Sequence, residues 1–135
     1  MSLALALTDQ DKNTLRAAAY GAVSLMAAAD AAGKPHKRAT HGSIALTSAT
    51  GQVGHVLAEK TRITGLHHAS TAALADHVLP ALTATMALLQ KQDPAEAANF
   101  RDTVTTAVEA TVRAHPSGPA LDAMARKITE ALDAA

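Results

Sequence analysis

Apolar positions recur at intervals of three and four along most of this chain, the period of a helix that buries one side. Leu15, Ala19, Val23, Met26 and Ala29 form the first such row. Thr8 with Asp11 three residues on makes a capping box in which Asp replaces the usual Glu, so the row predicts a helix from about Asp9 to Ala31, stopped by Gly33 and Pro35. A second row, Leu74, Val78, Ala81, Thr85 and Leu89, follows Ser70 as N-cap and predicts a helix over about 71–91, kinked or interrupted at Pro80. Asp93-Pro94-Ala95-Glu96 then supplies an N-cap acceptor, a proline at the first helical position and an acidic residue reaching back to the cap. Phe100, Val104, Ala107, Val108 and Thr111 are the core stripe of that helix, and His115-Pro116-Ser117-Gly118 closes it. Leu121, Met124, Ala125, Ile128 and Leu132 line a last amphipathic helix, with Asp122 and Arg126 paired one turn apart on its outer face. No alternating strand pattern competes.

The segment 39–58 is different, because it lacks any formally charged side chain. A helix polar on no face is usually buried, so this segment is predicted to be central. Its small residues Gly42, Ser43, Ser48, Ala49, Gly51 and Gly54 allow backbones to approach closely, and Gly51 and Gly54 are candidates for a break. Thr40, His41, Thr47, Thr50, Gln52 and His55 argue against a membrane span there. Residues 59–69 read as a connector without a regular element. The helix beyond it is also uncharged, from His77 to Gln90. A chain of this size buries only about two-thirds of its unfolded surface. Several charge-poor helices therefore predict that a second copy covers part of them, giving a homo-oligomer.

Composition narrows the class. The 135 residues suit one domain, read as 8–135, and alanine and leucine favour helix throughout. Twelve basic and twelve acidic side chains cancel, so there is no overall field to attract nucleic acid or an anionic membrane, and neither is expected as a partner. The absence of cysteine removes disulfides, thiolate metal sites and thiol nucleophiles, and makes a cytoplasmic location the default. Met1 to Leu7 lacks the basic region and cleavage site of a signal peptide, and it is left outside the predicted fold.

Candidate chemistry is sparse. The histidines are His36, His41, His55, His67, His68, His77 and His115, and no two lie three or four residues apart as a helical metal pair requires. Glu-x-x-His, the unit of bundle di-iron sites, does not occur, and no metal or other cofactor is expected. His77, beside Asp76 in an uncharged stretch, is the histidine expected to be buried. His41-Gly42-Ser43 lacks the flanking glycines of a nucleophile elbow, and Gly51-Gln52-Val53-Gly54 lacks the rest of a phosphate loop. Lys34, Lys37 and Arg38 form the one basic cluster, read as a solvated connector with an anion or partner contact as the sharper alternative. Tyr20, inside an apolar run, is expected to send its hydroxyl to a buried partner.

Leu15 to Val23, His41 to Gly51, Val78-Leu79-Pro80-Ala81-Leu82, and Asp93-Pro94-Ala95-Glu96 through Asn99-Phe100-Arg101 together resemble a group of short all-helical actinobacterial proteins of unknown function. That resemblance implies no activity. Ala27-Ala28-Ala29-Asp30 followed by Gly33 is also similar to the alanine-rich helix ending in Asp-Gly of TerB-like helical domains. Here two alanines intervene, and Lys34, Lys37 and Arg38 follow where that family has acidic residues.

The sequence thus predicts an all-α irregular bundle of about five helices around the segment 39–58, acting as a non-enzymatic interaction or binding module that self-associates. The alternative is a small-ligand protein or enzyme with a pocket among the charge-free helices, its ligand unidentified. Tyr20, His41, His55, His67, His68 and His77 would then be the polar groups. Convergence of these histidines on one cavity, or their scattering, separates the two.

Overall fold

In the computed structural model the residues described are 5–30, 33–59, 63, 66, 68 and 70–135. Helix formers dominate them, and they fold into α1 (Asp9–Ala29), α2 (Pro35–Thr47), α3 (Gly51–Ala58), α4 (Thr71–Gln92), α5 (Pro94–Arg113) and α6 (Pro119–Asp133). The predicted starts hold at three helices. Thr8 and Asp11 close a capping box on α1, Ser70 accepts from the Ala73 amide at α4, and Asp93 accepts from the Ala95 amide at α5. The α4 helix runs through Pro80 without ending.

Among the described residues six helices replace the predicted count of about five, because the uncharged segment breaks at Ser48–Thr50. Gly51 turns the chain with φ +74°, a left-handed value that side chains with a Cβ rarely adopt, and α3 starts there. The centre also differs from the prediction. α1 packs against every other helix and buries most of its circumference, including Leu15, Ala18, Ala22, Leu25 and Met26. α2 buries only Arg38, Gly42 and Leu46, the spacing-of-four row that faces α1 and α5, and leaves Thr40, His41, Ile44 and Thr47 exposed. Lack of charge did not mean burial, since threonine and serine are mostly found exposed and histidine is often so. One cluster of buried apolar side chains draws on all six helices.

Gly42 fits its predicted role. A Cβ there would come within 2.8 Å of both Val23 and Thr111, so glycine is what lets α2 lie this close to α1 and α5. α3, at eight residues, is too short to be stable alone and is held from outside. The Glu96 carboxylate accepts from the Val53 amide at 2.9 Å and the Asn99 amide donates to the Thr50 carbonyl at 2.8 Å, both from α5. Glu96 therefore caps α3 and does not reach back to its own helix as predicted. At the other end, the Tyr20 hydroxyl donates to the Leu57 carbonyl at 3.2 Å and Arg16 pairs with Glu59 at 2.9 Å, both from α1.

Residues 5–7 belong to the fold, contrary to their exclusion above, while 1–4 lie outside the described residues. Leu5 and Leu7 pack on the core, the Leu5 amide donates to Gln52, and Ala6 exchanges two hydrogen bonds with Gln92 at the end of α4. Asp122 and Arg126 are both exposed on α6; among the described residues the ion pair one turn apart is Glu109–Arg113, at 3.8 Å.

Candidate functional site

The basic cluster is where sequence and structure part most. Pro35 begins α2, so the residues read as a connector are a helix start. Lys34 and Lys37 are exposed, but Arg38 is 0% exposed. Its position on the row with Gly42 and Leu46 turns it inward to the end of α5. There Nε donates to Asp30 Oδ2 at 2.7 Å, Nη1 to the carbonyls of Thr111 (2.6 Å) and Val112 (3.3 Å), and Nη2 to the carbonyl of Pro116 (2.8 Å). A helix leaves its last carbonyls without partners and carries partial negative charge at that end. Arg38 satisfies both demands, joining the ends of α1 and α5 to the loop before α6. A planar fork of five donors suits this task, and a lysine would not. Arg38 is thus a structural lock whose guanidinium is turned away from solvent, while Lys34 and Lys37 stay exposed.

The hydrogen bond from Arg38 holds the Asp30 carboxyl below the usual carboxylate range, helped by the charge of Arg38, the Lys34 amide and His115, against a smaller opposing cost of burial. A carboxylate with a depressed folded pKa stabilises the fold fully above its unfolded pKa of about 4, and that stabilisation is lost as pH falls through the folded value. The urea midpoint of the protein is therefore expected to drop as the pH is lowered below about 4, and Asp30→Asn to flatten that drop. An unchanged pH profile in the variant would refute the linkage.

Of the candidate ligand residues described, His68 and His77 come together, while His41, His55 and Tyr20 are not grouped with them. His41 is exposed on α2 and His55 is exposed on α3. His77 is exposed on α4, not buried, because it points away from the row Leu74, Val78 and Leu82; its ring stands 5.2 Å from that of exposed His68. His67 lies outside the described residues. Tyr20 is half-buried with its hydroxyl on α3, and burial raises its pKa. Among the described residues no three His, Asp or Glu side chains are grouped to hold a metal ion.

Two surfaces stand out in place of the histidines. The first is an apolar groove of about 300 Å³ between α5 and α6, walled by Val108, Val112, Ala125, Ile128 and Leu132 with Glu109 and Arg113 at its rim. No histidine lines it, and it lies between the amphipathic helices, not the uncharged ones. The second is the outer side of α4. This helix is long and apolar enough to cross a membrane by length and composition, yet an 18-residue stretch of it is 33% buried inside the fold. His77, Pro80, Ala84 and Ala87 are exposed, and Leu79, Ala81 and Leu88 are half-buried. The uncharged run from His77 to Gln90 marked this helix in the sequence; the groove had no comparable signal, because its walls read as ordinary core positions.

Comparison with protein-family models, with curated proteins and with solved structures finds no match for this chain.

Proposed function

We propose that this protein is a non-enzymatic helical interaction module that self-associates, with α4 as its contact surface. The observation that carries the reading is the outer side of α4: a 22-residue helix, uncharged between Asp76 and Lys91, whose apolar composition exceeds what its burial in the fold uses. An exposed apolar helix face is a mark of association. His68 and His77 pair, but His41 and His55 stand apart from them and no third metal-ligating group joins the pair among the described residues, which favours this reading over an enzyme, since acid–base or metal chemistry needs groups that converge. As in the sequence reading, the working location is the cytoplasm.

The test is the mass of the native protein as a function of concentration. The wild-type chain of 13.8 kDa is expected to move towards twice that mass as concentration rises, and Ala84→Arg to stay at the monomer mass with unchanged melting. Arginine at an exposed helix position costs little in the fold but puts two like charges into a symmetric contact. A wild-type chain that is monomeric at every concentration would overturn the reading.

The α5–α6 groove supports a second reading, an apolar small molecule held between these helices. Its volume is at the lower end of small-molecule sites. A monomer that retains a reproducible added mass in native mass spectrometry would favour it.

A further inference from the structure

The charges that bound the outer face of α4 fit a second copy in one orientation. Asp76 and Lys91 are both exposed, and among the described residues neither takes part in an ion pair. At 100° per residue, Asp76, Pro80, Ala84, Ala87 and Lys91 fall on one side of the helix, the side opposite buried Leu74, Val78, Leu82, Met86 and Leu89. The two outer pairs of this exposed row are arranged symmetrically about a point between Thr83 and Ala84, where half-buried Thr83 is the counterpart of Ala84. Asp76 and Lys91 are equidistant from that point, and so are Pro80 and Ala87.

Resting on the self-association proposed above, we infer that two copies pack α4 against α4 antiparallel about a two-fold axis passing between Thr83 and Ala84. That axis sets Asp76 of each copy opposite Lys91 of the other, and Pro80 opposite Ala87. A parallel pairing would set Asp76 against Asp76 and Lys91 against Lys91, which is repulsive. The small side chains between the charged ends let the helix axes approach to about 8 Å, the close end of the usual range. A two-fold contact of this kind is self-complementary, so one face serves both copies.

The size of the contact sets its strength. A helix of 22 residues is about 33 Å long, and a strip about 10 Å wide along it covers roughly 300–400 Å² per copy. A stable interface buries about 800 Å² per partner. The dimer is therefore weak and concentration-dependent, a reversible contact between molecules that fold independently.

The register can be read by cross-linking, because the chain contains no cysteine of its own. Under mild oxidation, an equimolar mixture of Pro80→Cys and Ala87→Cys is expected to form the mixed disulfide-linked dimer at least several-fold faster than either variant alone. Faster cross-linking of each variant by itself would indicate a parallel pairing and overturn the inference. Asp76→Lys and Lys91→Asp are each expected to weaken association about ten-fold, and the two together to restore it. A wild-type dimer whose association ignores these substitutions would overturn the register while leaving self-association intact. A wild-type monomer that binds phosphatidylcholine–phosphatidylglycerol vesicles through α4 would overturn both.

Discussion

Arg38→Met is expected to lower the unfolding free energy by about 2–4 kcal/mol, because a buried acceptor left without its donor costs about 1–3 kcal/mol. The methionine fills much of the space but offers no donor. The carbonyls of Thr111, Val112 and Pro116, which face Arg38 at 2.6, 3.3 and 2.8 Å, lose it together, and Asp30 loses its counter-ion. Arg38→Lys is expected to recover only part of the loss, because one ammonium cannot reach acceptors in three directions. Lys37→Met, one residue away but exposed, is expected to stay within about 0.5 kcal/mol of wild type. Denaturant titration of the three variants checks the set. Equal midpoints for Arg38→Met and Lys37→Met would mean that the buried guanidinium contributes nothing.

Leu46→Asp is expected to be more severe and to leave the chain unfolded at room temperature. Leu46 is 0% exposed and sits on the same row of α2 as Arg38 and Gly42, with α1 and α5 on either side. An unpaired carboxylate at such a position either loses its hydration or takes up a proton, and either route costs several kcal/mol on top of the lost packing. The total stability of a domain this size is about 5–15 kcal/mol, so the substitution removes much of it. Leu46→Ala separates the two contributions, with an expected loss of about 2–4 kcal/mol from cavity formation alone. A soluble Leu46→Asp variant with wild-type melting, followed by circular dichroism, would refute the burial.

The helices were legible because their signals are local. The caps at Thr8, Ser70 and Asp93 and the rows through Leu15, Leu74, Phe100 and Leu121 need no knowledge of what packs where. What was not legible depends on partners distant in sequence. Glu96 has the spacing of a capping box, yet its carboxylate serves the Val53 amide 43 residues away. Arg38 looked like one of three solvated cations until the end of α5, more than seventy residues on, was brought to it. A hint was present: Arg38, Gly42 and Leu46 are four apart, so a helix that buries the latter two must also turn Arg38 inward. The uncharged segment misled in the opposite direction, because absence of charge was weighed more heavily than the polarity of Thr40, His41 and Thr47. For the surface of α4, charge absence and exposure together carried what neither carried alone.

The tethering of α3 has a consequence for how the protein breathes. An eight-residue helix fastened by Glu96 and Asn99 at one end and by Tyr20 and Arg16 at the other has little cohesion of its own. Because its ends depend on α1 and α5, its amides are expected to share one opening event and to exchange with solvent as a group, which hydrogen exchange would check. The helix acts as a latch whose apolar side is part of the common core but whose ends are held by other helices.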